Sequence, residues 1–442
     1  MMMKYNLVDV QGKGYKPGDR ERLRLERKYY DRFHENLKLR SVVSYVGNRD
    51  IPLLRLFRYK EAFAFEFVRY FLRYLNISPQ GYVFDPFAGM GTTLFASMTA
   101  GIPSIGVDKL PVAEFIARTL PKLLFIKSDQ IIRTYMKLKN IVDKCEPADV
   151  AMDVPIMKLA FDDITLTRLR QWKSAINIIS EPMRDIFLLL FLGTLESTSY
   201  TSKDGQFLRL RRDKNPEFPD DALERKINEA VYDLDRIKWL FPHWNGVKNN
   251  LPRVFLSDTR DLHGISFQRK PTAIITSPPY ANRYDYTRTY SLELCFNFVK
   301  NFEELRDIRN SILRSHIESK VSDDERSPHP AVEEVITFLK DKELNNPRIP
   351  YMLKGYFIDM QLAVAEWNRV LAHGARVALV VDNVRFEGEL VPVDLILSEM
   401  AEMVDFEVEA IIVTRYKGNS SQQMKKYGKI PVRESVVIWR KI

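Results

Sequence analysis

Two short runs carry residue types whose spacing could do chemistry. The first is Ser277-Pro278-Pro279-Tyr280, which follows the apolar, β-branched run Thr272 to Thr276. That run has the pattern of a buried strand. Neither proline can donate a backbone hydrogen bond, and each fixes its own φ. The residue before a proline is driven out of helical space. The four residues must therefore form a stiff, extended loop at the carboxyl end of a strand, where open α/β sheets bind ligands. Such a loop presents fixed carbonyls and one aromatic ring. These suit a planar ligand with an amino group: the oxygens accept its N–H bonds and the ring stacks on its face.

The second run is YVFDPFAGMGTTLFASMTAGIPSIGVD, residues 82 to 108. Tyr82 to Phe84 read as a strand that stops at Asp85-Pro86. Gly89 and Gly91 permit a tight turn with close backbone approach. Thr92 or Thr93 can cap a helix from Leu94 to Ala100, and Gly101 ends it. Ser104 to Val107 form a second strand that stops at Asp108. This is a β-turn-α-β unit with an acid 17 residues past the glycine turn, near the roughly 20 expected of a ribose-binding carboxylate. No G-x-x-x-x-G-K-[ST] or G-x-G-x-x-G run is present, and Asp85 would repel a pyrophosphate. The turn therefore suits a nucleoside with a cationic or zwitterionic tail, such as S-adenosylmethionine.

These loops need a sheet to hold them, and the rest of the chain supplies one. Val254 to Leu256 read as a third strand, followed by Asp258 and Thr259, so Asp258 can reach the same crevice. Phe65, Val68, Phe71 and Leu72 recur at helical spacing and predict a buried helix over one edge. Residues 120–250 lack strands of any length; helices are expected over Ile131 to Val142, Ile164 to Ile178, Met183 to Leu195 and Ala222 to Leu240. Between the last two lies a loop with Arg209, Arg211, Arg212 and Lys214, either a solvated hairpin or a contact for DNA phosphates. Residues 300–350 are charged and broken by prolines, as in a mobile lid or second insertion. A helix from Tyr356 to Leu371, a strand from Arg376 to Val381 and a helix from Leu395 to Met403 follow. Phe406 to Thr414 and Ser435 to Trp439 predict an antiparallel pair at one edge. Arg20 to Phe33 predict a charged helix packing through Leu23, Leu25, Tyr29 and Phe33, with a DNA-facing arm as the alternative.

The 442 residues carry a net charge of +9. The excess sits at the ends: residues 1–40 hold 11 Lys/Arg against 6 Asp/Glu, and residues 412–442 hold 8 against 1. That balance is compatible with a polyanionic partner. Cys145 and Cys295 offer no disulfide framework, and the six histidines are scattered, so no metal is expected. No apolar run has the length of a membrane span, and a signal core is absent. A reducing cytoplasm is the expected setting.

Taken together, these residues resemble amino-group DNA methyltransferases that use S-adenosylmethionine. DPFAGMGTT resembles their motif I, IGVD motif II, SDTRDL motif III, SPPY the catalytic motif IV, and FRYKEAF motif X. The resemblance implies a Rossmann-like class I methyltransferase sheet with an antiparallel edge pair and a mostly helical insertion. It implies a basic arm over 1–50, a catalytic domain over 51–120 and 251–442, and a target-recognition insertion over 121–250. Ser277, Pro278, Pro279 and Tyr280 are implied as catalytic. Lys60, Phe63, Asp85, Pro86, Phe87, Ala88, Gly89, Gly91, Thr92, Asp108, Lys109, Asp258, Thr259 and Ser277 are implied around the cofactor. Arg209, Arg211, Arg212, Lys214, Arg283 and Lys417 are the candidate DNA contacts. SPPY is more typical of enzymes acting on the N4 amine of cytosine, with N6 of adenine as the alternative. An RNA amino-methyltransferase or a catalytically silent DNA-binding protein are further alternatives. Expected partners are double-stranded DNA and a cognate restriction endonuclease.

Overall fold

The computed structural model describes residues 19–204, 207–240, 250–322, 324–417 and 431–442. Its strands are β1 (Phe33–Glu35), β2 (Val83–Asp85), β3 (Ser104–Asp108), β4 (Thr201–Ser202), β5 (Arg209–Leu210), β6 (Arg253–Leu256), β7 (Ala273–Thr276), β8 (Arg376–Asp382), β9 (Val384–Phe386), β10 (Glu389–Val391), β11 (Phe406–Lys417) and β12 (Val432–Lys441). One eight-stranded sheet runs in the order β1-β11-β12-β8-β7-β2-β3-β6. Strand β12 is antiparallel to both its neighbours; the other pairings in the sheet are parallel. This is the α/β class I methyltransferase fold that the sequence predicts.

Alternate residues of the central strands feed two different cores. Ala273 and Ile275 of β7, with Ala378 and Val380 of β8, join one apolar cluster. Ile274, Val377 and Leu379 join the other. That is the period-two consequence of covering both faces of a sheet. Helices Phe65–Tyr74, Thr92–Thr99 and Pro111–Thr119 lie in the first layer. Helices Pro330–Lys340, Ile349–Val370 and Val393–Glu402 build the second. The insertion is continuous with the first layer: Leu138, Trp172, Leu190 and Leu223 share a cluster with Phe95 and Ile275.

The N-terminal segment departs most from expectation. Its helix stops at Lys28, because Phe33–Glu35 is drawn into the sheet as β1, with Phe33 opposite Ile411 of β11. The β11–β12 pair therefore lies one strand in from the edge. The helix docks through a buried guanidinium. Arg22 is 0% exposed and contacts Glu334 Oε1 at 2.7 Å, Glu389 Oε2 at 3.2 Å and the Leu390 carbonyl at 2.9 Å, with Asp19 also bonded. Arg20–Lys28 is thus clamped to helix Pro330–Lys340 and the β9–β10 hairpin. That hairpin has no counterpart in the sequence reading. Among the described residues, no helix is long and apolar enough to cross a membrane.

Candidate active site

Four neighbouring parallel strands, β6, β3, β2 and β7, end at one rim and deliver the predicted acids and the Ser277 loop there. A cavity opens at that rim. Of the residues implied around a cofactor, Phe63, Asp85, Pro86, Phe87, Ala88, Gly89, Thr92, Asp108, Lys109, Asp258, Thr259 and Ser277 line it, as does Pro279 of the catalytic loop.

The turn after β2 is shaped as its glycines require. Gly89 and Gly91 have φ of +52° and +84°, values that L side chains rarely adopt. A Cβ on Gly91 would meet the backbone and methyl group of Ala117 at 2.9 Å. Gly91 therefore packs beneath the turn and does not line the cavity. It also stands where a helix cap belongs, and no side chain caps helix Thr92–Thr99. The capping role expected of Thr92 or Thr93 is thus corrected. Thr93 donates instead to the Ile275 carbonyl at 3.1 Å, tying the helix to β7. Thr92 Oγ1 is buried at the cavity wall with no partner in the protein, an atom suited to a bound ligand's polar group.

Two acids form the polar floor. Asp85, 1% exposed, accepts from Thr276 Oγ1 at 2.6 Å and from the Phe87 amide at 3.1 Å. Burial pushes its carboxyl up to about 6, against the pull of these donors. Asp108 accepts the Gly89 amide at 2.8 Å and the Leu110 amide at 2.9 Å. Burial lifts it to about 6 as well, opposed by the same amides. Both Asp85 bonds fall on Oδ1, whereas Asp108 takes the Gly89 amide on Oδ2 and the Leu110 amide on Oδ1. Asp258 behaves differently. Burial would raise it, but Arg260 holds it below the ordinary carboxylate range, with Nε at 2.9 Å and Nη2 at 2.6 Å. Arg260 is itself pinned by Asp359 at 2.9 Å and the Ser311 carbonyl at 2.6 Å. Asp258 is therefore an ionised, oriented acceptor.

Several wall residues escaped the sequence reading: Tyr59, Glu61, Arg260, Tyr286, Leu313 and Ser315 among them. Glu61 accepts from Tyr290 Oη at 2.5 Å and from Tyr284 Oη. Tyr59 stacks on Tyr290 with ring centroids 4.8 Å apart. Glu61 sits beside Lys60, which the resemblance singled out, so the right stretch was legible but not the right side chain. Lys60 itself does not line the cavity; its amide donates to Tyr290 Oη at 3.1 Å. Leu313 and Ser315 come from the charged 300–350 segment, where no pattern marked them.

In the catalytic loop, Ser277 Oγ donates to the Val380 carbonyl at 3.3 Å. Pro278 is buried, and Ser277, Pro279 and Tyr280 are partly exposed. Tyr280 Oη donates to Glu434 Oε1 at 3.1 Å, and burial pushes its hydroxyl well above the ordinary tyrosine range.

The predicted DNA contacts divide. Arg209 and Arg212 are exposed on the insertion. Arg211 is paired with Asp213 at 2.8 Å. Lys214 is engaged within the protein: its ammonium binds the Thr201 carbonyl at 2.8 Å and the Glu196 carbonyl, closing its own loop. Lys417 is likewise engaged, held by Glu434 at 2.6 Å and Asp382 at 3.0 Å. Charge runs reveal cations but not the distant carboxylates that claim them. Arg283 adopts φ +72° and reaches Asn345 at 3.2 Å. One grouping was not expected: Asp261, His263 and Glu366 bring possible metal-ligand atoms within 4.8 Å of one another. His263 Nδ1 is occupied by Asp261 at 2.9 Å, and Glu366 by Arg369 at 2.6 Å.

A buried acid floor, an unpartnered hydroxyl and aromatic walls at the carboxyl ends of parallel strands fit a nucleoside sulfonium, and the fold is a methyltransferase fold. Such a site suits S-adenosylmethionine. Comparison with known proteins narrows the class. The chain is 33% identical over 449 residues to the Type II methyltransferase M.AvaI of Nostoc sp., covering 94% of this chain and 92% of the relative. It is 30% identical over 478 residues to the Type II methyltransferase M.BsoBI of Geobacillus stearothermophilus, covering 95% and 92%. The chain belongs to this family of Type II methyltransferases. No protein-family model matches it. Among solved structures, an rRNA methyltransferase, AviRa, from Streptomyces viridochromogenes aligns with a TM-score of 0.30 and 11% identity, over 90% of this chain and 89% of that one.

Proposed function

We propose that the chain methylates the exocyclic N4 amine of cytosine in double-stranded DNA. The observation that carries this reading is the position of Ser277 and Pro279 on the wall of the acid-floored cavity. An aromatic amine is a poor nucleophile because its lone pair is conjugated with the ring. Ser277 Oγ and the Pro278 carbonyl can accept its two N–H bonds and favour a tetrahedral nitrogen. Tyr280 stacks on the base. The work is positioning and electrostatics, and no nucleophilic side chain is required. S-adenosylmethionine supplies the methyl group on a sulfonium when bound. Asp108 holds its ribose hydroxyls, Asp258 its adenine amine, and Asp85 and Phe87 its methionine end. A base in a duplex must first be flipped out of the stack.

Ser277 in the first position of the loop supports cytosine over adenine. The insertion supports target recognition, with exposed Arg209 and Arg212 as phosphate contacts. A cognate restriction endonuclease is the expected partner. The test uses purified protein, S-adenosylmethionine with a labelled methyl group, and unmethylated duplex DNA. Label should enter DNA with the wild type and not with Tyr280→Ala. Label entering an RNA duplex but not DNA would refute the reading.

A further inference from the structure

Tyr280, the ring assigned above to the target base, is held by a cluster that the proposed reaction does not use directly. Its hydroxyl donates to Glu434 Oε1 at 3.1 Å. Glu434 lies on β12 and is 1% exposed. The ammonium of Lys417, at the end of β11, sits 5.5 Å from the centroid of the Tyr280 ring. It also binds Glu434 at 2.6 Å and Asp382 at 3.0 Å. Arg415 pairs with the other Glu434 oxygen.

The arrangement is costly for a sheet. Glu434 stands directly opposite Asp382 in the β12–β8 register, and like charges in that position are destabilising. A hydrophobic pair there would suit the fold better. Local conflicts of this kind concentrate where a protein places function above stability. Arg415 and Lys417 offset the two acids, and Glu434 Oε1 is shared by the Lys417 ammonium and the Tyr280 hydroxyl. Lys417, read from the sequence as a phosphate contact, is turned inward to this purpose.

We propose that Glu434, assisted by Lys417, is a positioning residue that fixes the Tyr280 ring for stacking on the flipped base. A carboxylate acceptor clamps the hydroxyl end of the ring, and the cation occupies the ring's neighbourhood on the strand β11 side. An unanchored ring would sample other rotamers, and the target amine would meet Ser277 less often. This rests on the reading of Tyr280 as the stacking residue.

The test is a double-mutant cycle on Tyr280→Phe and Glu434→Ala, measuring kcat at saturating duplex DNA and the Kd of S-adenosylmethionine. Each single variant should lower kcat about tenfold, the scale of a lost hydrogen bond to a charged group, with the cofactor Kd unchanged. The double variant should be no slower than Glu434→Ala alone. Should Glu434→Ala fail to bind cofactor, Glu434→Met, which keeps much of the side-chain length but removes the acceptor oxygens, takes its place in the cycle. Losses that multiply in the double variant, or an unchanged kcat in either single variant, overturn the proposal. Tyr280→Ala separates the two ideas. Wild-type turnover in Tyr280→Ala would remove the stacking role itself. Lost turnover there, with a multiplicative cycle, would remove only the anchor.

Discussion

Lowering the pH should loosen the grip on S-adenosylmethionine through Asp85 and Asp108. Both carboxyls are pushed up to about 6 by burial, so both titrate between about pH 5 and 7. A sulfonium and an ammonium bind best to ionised acids, and ribose hydroxyls need acceptors. At pH 5 a carboxyl that titrates near 6 is about nine-tenths protonated. If both must ionise for tight binding, affinity falls about a hundredfold from its value near pH 8. The stability of the unliganded protein moves the other way. In the folded state these acids hold protons that the unfolded chain releases near its ordinary value of about 4. Their contribution therefore fades as pH rises through about 4 to 6. Isothermal titration of S-adenosylmethionine across pH 5 to 8 reads the first effect, and thermal unfolding without cofactor reads the second. Asp108→Asn should flatten part of the binding profile. Affinity that is constant across the range, or that rises as pH falls, would refute the reasoning.

Other consequences are sharper in stability than in rate. Gly91→Ala should cost at least about 1–2 kcal/mol for its left-handed backbone, more with Ala117 only 2.9 Å from the new methyl, and urea unfolding reads the loss. Arg22→Met should cost about 3 kcal/mol by removing the buried guanidinium that Glu334 and Glu389 share, Glu389 keeping Lys342, again by urea unfolding, with cofactor affinity nearly unchanged. Lys214→Ala should loosen the loop that its ammonium closes on the Thr201 and Glu196 carbonyls, seen as faster amide exchange there. Arg209→Ala should weaken DNA binding and reduce its salt dependence by about one phosphate contact.

The parts of the site that the sequence made legible are those set by local chemistry. Asp85-Pro86, the Gly89 and Gly91 turn, Asp108 and the Ser277 loop each follow closely on a short strand. Their geometry is fixed by proline, glycine and strand ends within a few residues. What was hidden depends on pairing across long separations. Strand β1 exists because Phe33 meets Ile411, and no periodicity in three residues can announce that. Lys417 reads as a free cation until Glu434 and Asp382 are brought beside it by two different strands. Leu313 and Ser315 enter the cavity wall from a segment whose charge and prolines marked it as peripheral. The β9–β10 hairpin turns at Glu387 and Gly388, both with positive φ. Glu-Gly is a weaker hairpin signal than Asn-Gly or Asp-Gly.

The most direct test of the central claim is mass spectrometry of nucleosides from the DNA of cells expressing the wild type or Tyr280→Ala. The account predicts N4-methylcytosine with the wild type alone. N6-methyladenine in its place would contradict the assignment of the base, and neither modified base, in a protein that binds S-adenosylmethionine, would contradict the proposed reaction.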